Sequence, residues 1–185
     1  ALHPDGRTLV AQSWEDAFNP ALVFVNLIDG AIRVARLSKG SDHWCCDSTI
    51  AFAPDGRSFA SLEQRGGGSH PTLVRYTPAG RELQASRLSR LGDGDAGIAY
   101  SPNGRSFFVW EEAEHGNTLR LDAKTLRVER SFLSGRVFGM APDGRTAAIG
   151  REDGSVAFLD LRSGQVMAAK GRHTGPVEGV GFSPD

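Results

Sequence analysis

The sequence predicts an all-β chain made of four repeats of a four-stranded antiparallel unit. Three observations carry that prediction. One turn, Pro-Asp/Asn-Gly-Arg followed by Ser or Thr, begins at Pro4, Pro54, Pro102 and Pro142, and its first two residues return at Pro184-Asp185. The copies are spaced at about 40–50 residues, the length of a four-strand repeat. Between them lie short apolar runs of period two, broken by glycine-containing turns. The turn has a mechanism: Pro presets φ at the first central position, Asp or Asn tolerates the second, and Gly takes the left-handed conformation that follows. Flanked by apolar runs, it is a β-hairpin signal, and Gly6, Gly56, Gly104 and Gly144 are its structural glycines.

Taken in order, the first repeat (residues 1–47) has only Ala1 and Leu2 before its turn. It then offers runs at 7–13, 21–27 and 31–37, with Asp29-Gly30 as a tight turn and a long loop to Asp47. The second repeat (48–95) predicts strands at 48–53, 57–63, 72–76 and 82–88. The third (96–134) predicts them at 96–101, 105–111, 118–122 and 126–133. In the last pair, Leu119, Leu121, Leu126 and Val128 alternate with polar residues, which specifies strand over helix. The fourth (135–176) reads as four short runs, and residues 177–185 begin a further copy. No linker or low-complexity tract divides the chain. Because both ends cut through a repeat, the sequence reads as a single segment, 1–185, of a longer repeat array whose remaining units would be its neighbours.

Composition sets the outer limits. Glycine is 23 of 185 residues, about 12% against a usual ~7%, as an all-β chain with many turns requires. The formal net charge of −1 gives no footprint for nucleic acid, and no apolar run is long enough to span a bilayer as a helix. Arginine far outnumbers lysine, a bias common in GC-rich bacterial genomes. The two cysteines, Cys45 and Cys46, are adjacent, a poor geometry for a mutual disulfide, so a reducing, cytoplasmic compartment is the expectation.

Residues 171–185, Gly-Arg-His-Thr-Gly-Pro-Val followed by Val180-Gly-Phe-Ser-Pro-Asp185, resemble the opening of a WD40 repeat. Phe158-Leu159-Asp160 resembles the closing Trp-Asp strand, with Leu for Trp. The resemblance covers nearly the whole chain and is sharpest in the last repeat; the first three repeats lack the Gly-His pair. It implies a β-propeller whose blades are the repeats, and a structural role for Asp160 and His173, the latter within the next blade. It also implies a non-enzymatic scaffold for protein or peptide partners in a larger bacterial regulatory or signalling protein. TolB-like and YVTN-type periplasmic propellers, also binding modules, are the alternative, and a propeller enzyme with its active site in the central channel is a third.

In a four-strand blade the short turns share one face of the disc and the long loops the other. Loops on a rigid scaffold are where binding is usually built. Here the long loops, 14–20, 38–47, 64–71, 89–96 and 111–117, carry many more carboxylates than cations. Asp42, Asp93, Asp95, Glu111, Glu112 and Glu114, with Trp14 and Trp44 as aromatic anchors, are the candidate partner-binding residues, and the partner would present Lys or Arg. Solvated loop ends are the plain alternative. Asp42-His43-x-Cys45-Cys46-Asp47 holds ligand-type residues without metal-site spacing. Gly66-Gly67-Gly68 lacks the Gly-Lys-Ser/Thr of a phosphate loop, and Asp93-Gly94-Asp95 reads as a turn. No metal, cofactor or catalytic residue is therefore expected.

Overall fold

The computed structural model describes residues 1–14, 20–36, 50–65, 70–92, 94–113, 116–133 and 135–183. These form fifteen strands and, among the described residues, no helix. The first sheet is β1 (Thr8–Trp14), β2 (Pro20–Asn26) and β3 (Ile32–Arg36). Leu2 bridges Leu9 where the other sheets have a fourth strand. The second sheet runs β4 (Ile50–Phe52), β5 (Phe59–Gln64), β6 (Pro71–Tyr76) and β7 (Glu82–Arg87) in chain order. The third comprises β8 (Ala96–Tyr100), β9 (Ser106–Glu111), β10 (Asn117–Asp122) and β11 (Val128–Leu133). The fourth comprises β12 (Val137–Met140), β13 (Thr146–Gly150), β14 (Ser155–Asp160) and β15 (Val166–Arg172). Residues 118–133, where helix and strand compete on paper, are the antiparallel pair β10–β11 with a bulge at Arg120/Leu121.

The recurrent turn forms as its residues dictate. The N–H of Gly6, Gly56, Gly104 and Gly144 donates to the carbonyl three residues back, at 2.8–2.9 Å, and all four have φ of 66–69°. The Asp or Asn before each glycine accepts the following Arg N–H at 2.8–3.0 Å. Those N–H groups hold the Asp5 and Asp143 carboxyls below their ordinary range. The third-to-fourth-strand turns use a related device. Gly30, Leu126 and Gly164 each donate N–H to the residue four back, and each has positive φ. Leu126 is the one non-glycine residue with positive φ among the described residues.

The chain comprises two compact units, residues 1–100 and 101–185. In the first, Val10, Leu22 and Phe24 of the first sheet pack on Phe59, Val74 and Tyr76 of the second. Phe24 meets Phe59 edge-on at 5.9 Å, and Phe59 stacks on Tyr76 at 5.2 Å. In the second unit Phe138 stacks on Phe108 and Trp110. Burying each such side chain contributes about 1.5–3 kcal/mol, so face-to-face packing of amphipathic sheets is what the period-two pattern is for. After β15 the chain folds back over the turn at 151–154, with the His173 N–H on the Gly154 carbonyl and the Val177 N–H on that of Arg151. Gly154 has φ of 82°, and a Cβ there would meet the His173 carbonyl and stand 2.8 Å from that of Gly175. Only glycine permits that crossing.

Candidate functional site

The turn joining β2 to β3 builds a groove at the short-turn end of the first sheet. Asn26 closes the turn twice, its carbonyl accepting the Gly30 N–H and its side chain accepting the Ile28 N–H, both at 2.9 Å. That closure pushes Leu27 and Ile28 outward, and Ile28 is 70% exposed. Alongside, Thr8, Phe24, Asn26, Ile32, Arg33 and Pro78 line an open groove of about 300 Å³. Phe24 is its floor, and the Arg33 guanidinium lies over the ring, 3.9 Å from the centroid. Such a cation–π contact holds a long side chain in place. The second sheet's turn closes in from the side: a Cβ on Gly80 would come 3.0 Å from Phe24 Cζ. The groove combines exposed aliphatic side chains with one guanidinium and two neutral polar groups. That chemistry receives an apolar side chain with a polar backbone around it.

Behind the floor the aromatic stack ends in a buried polar cluster. The Tyr76 hydroxyl donates to Glu63 Oε1, and Arg65 donates to Glu63 Oε2 at 2.9 Å and to Glu82 at 2.9 Å. Burial pushes the Glu63 carboxyl above its ordinary range, although the Tyr76 and Arg65 contacts oppose the shift. Burial together with the Glu63 charge pushes the Tyr76 phenol up, and the two carboxylates hold Arg65 firmly protonated. Each Glu63 oxygen is occupied by this chain's own donors. The cluster therefore fastens β5, β6 and β7 and presents no free base. Among the described residues no group of three His, Cys, Asp or Glu side chains converges as metal ligands would.

The residues singled out in the sequence are placed differently. Trp14 is the last residue of β1, paired with Pro20, and so belongs to a strand and not to a loop. Glu111 likewise ends β9, and its carboxylate accepts the Asn117 backbone N–H at 2.7 Å, closing the β9–β10 hairpin. Its acidity is used locally. Glu112 is half-buried just after it, and Asp95 is exposed before β8. Asp42, Trp44, Asp93 and Glu114 lie outside the described residues. Asp160 ends β14 and accepts the Arg162 and Ser163 N–H groups, which lowers its pKa. His173 contributes its backbone to the crossing over Gly154 while the residue stays exposed. The groove was missed, although it left a signal: Ile28 stands in a tight turn where the third and fourth repeats have Lys124 and Arg162.

No protein-family model matches the sequence, and no curated protein matches it. Among solved structures, the chain is similar to TolB from Acinetobacter baumannii, at 23% identity and a TM-score of 0.65. The match covers 90% of this chain and 41% of that one, so the chain spans about two fifths of the TolB length. TolB is a β-propeller, and the sheets of this chain have the propeller fold.

Proposed function

We propose that the chain is a propeller binding module of the TolB type, which engages a protein segment through the groove of its first sheet and performs no chemistry itself. The observation that supports this most is the likeness to TolB over 90% of the chain. The exposed Leu27, Ile28 and Ile32 around the groove add to it, because large aliphatic side chains clustered on a turn mark an interaction site. The partner segment carries an aliphatic or aromatic residue for the groove.

A WD40-type scaffold is the second reading, favoured by the resemblance of residues 171–185 to a WD40 repeat opening; in this reading the acidic long loops bind the partner. Its partner is basic, and its compartment is the cytoplasm. One experiment separates the two. A displayed peptide library is selected on the 185-residue chain, and binders are mapped by backbone NMR shifts. The groove reading expects shifts at Thr8, Asn26, Ile32 and Arg33, and loss of binding in Ile28→Asp. Selected peptides rich in Lys and Arg, with shifts at Asp95 and Glu112, would overturn it in favour of the acidic loops. A selection that enriches nothing would overturn both.

A further inference from the structure

We propose that the Arg33 guanidinium selects an acidic side chain, an Asp or Glu of the partner segment that stands beside the apolar residue received over Phe24. This rests on the proposed groove function and narrows it to a partner chemistry. Two arginines of the chain hold the same register position. Counting four residues on from the glycine of the recurrent turn gives Val10 in the first sheet and Phe108 in the third. Val10 pairs with Phe24, and Phe24 with Arg33. Phe108 pairs with Arg120, and Arg120 with Arg130. Arg33 and Arg130 thus stand in the last strands of their sheets, β3 and β11, on the face that the following sheet covers. Each lies over an aromatic ring of its own sheet, Arg33 at 3.9 Å from the Phe24 centroid and Arg130 at 5.2 Å from that of Phe132.

The turn of the following sheet makes the difference between them. In the second unit that turn, between β14 and β15, occupies Arg130: the guanidinium donates to the Arg162 carbonyl and, at 2.6 Å, to that of Ser163. In the first unit the corresponding turn, between β6 and β7, is shorter. The Gly80 N–H closes on the carbonyl of Thr77, three residues back, where that of Gly164 reaches Asp160, four back. The shorter turn meets the ring and not the guanidinium. A Cβ on Gly80 would stand 3.0 Å from Phe24 Cζ, whereas one on Gly164 would stand 3.1 Å from Arg130 Nη2. Among the described residues, the Arg33 side chain makes no hydrogen bond or ion pair, and it is exposed. Its position over Phe24 fixes the guanidinium at the groove wall with its N–H edge unoccupied. A planar guanidinium held in that way matches a carboxylate, which it takes through two parallel N–H···O bonds. No other charged residue lines the groove, so nothing in its lining competes for that carboxylate. Because the groove is open, a segment passes along it, and the carboxylate is that of a side chain within the segment.

The test uses the 185-residue chain and displayed short peptides built on a central Leu with randomised neighbours. Wild type should enrich Asp or Glu at one position beside the Leu. A selected peptide, acetylated and amidated so that its ends carry no charge, should bind roughly 10-fold more weakly when that residue becomes its amide, or when the chain carries Arg33→Gln. Arg33→Glu should reverse the preference and enrich Lys or Arg at the same position. Arg130→Gln, at an arginine the neighbouring turn already occupies, should select as wild type does. Far-UV circular dichroism verifies that each variant folds. Apolar peptides that shift the Thr8 and Asn26 amides without any preference for a carboxylate overturn the proposal and leave the groove function standing. An acidic preference that survives Arg33→Gln, or that Arg130→Gln abolishes, places the carboxylate elsewhere and also overturns it. So does binding confined to peptides with a free C-terminal carboxylate, which would mean that the groove takes a chain end. A library that enriches nothing overturns the groove function and this proposal together.

Discussion

Leu126 offers a sharp test of how these turns are held. It has φ of 54° and is 1% exposed, at the turn position occupied by Gly30 and Gly164 in the first and fourth sheets. A side chain in the left-handed region costs about 1–2 kcal/mol, and burying a leucine contributes about 1.5–3 kcal/mol. The packing therefore offsets the strain. Leu126→Ala removes the packing, at about 2–5 kcal/mol, and keeps the strain. Leu126→Gly removes the same packing but relieves the strain, against about 0.5–1 kcal/mol for the freer unfolded chain. Leu126→Gly should thus be the more stable of the two by about 0.5–1 kcal/mol. At fully buried Leu119, in the middle of β10, no left-handed strain exists, and Ala should be better than Gly by a similar amount. Urea unfolding of the four variants reads the sign directly: with m near 2 kcal/mol/M, the midpoints should differ by about 0.3–0.5 M. The same order, Ala above Gly, at both positions would refute the account.

Four further outcomes follow from the geometry. Gly154→Ala should destabilise by about 2–4 kcal/mol, because its Cβ would strike the carbonyls of the returning chain. Gly175→Ala, with open space around it, should stay within about 0.5 kcal/mol of wild type in the same urea assay. Glu63 has a folded pKa raised above its ordinary 4.5, so between those two values the folded state binds the extra proton. Stability should therefore fall as pH rises from 4.5 through the raised pKa, and level off above it. Glu63→Gln should lack that slope, and parallel urea-midpoint profiles for the two proteins between pH 4 and 8 would refute the assignment. Gly30→Ala, where the space is open and φ is 72°, should cost about 1 kcal/mol through backbone strain alone.

The sequence by itself determined what is local. Strand positions follow from period-two alternation, as at β10 and β11, where Leu119 and Leu121 are fully buried. The hairpins follow from Pro-Asp-Gly, whose hydrogen bonds close within four residues. The repeat spacing specifies a four-stranded unit, because four strands and their turns consume a fixed length of chain. The tertiary structure decided what depends on partners distant in sequence. The acidity of Glu111 reads as a surface charge until the Asn117 N–H is seen to take it. Nothing local in the sequence marks Glu63 as interior, where Tyr76 and Arg65 hold its carboxylate. The same holds for the groove. Phe24, Arg33 and Pro78 belong to two sheets, and their meeting depends on Gly80 lacking a Cβ. Alternation tells which side chains share a face of one sheet; it carries no information about which other face that one will meet, because hydrophobic burial is non-directional and the pairing is settled only by packing.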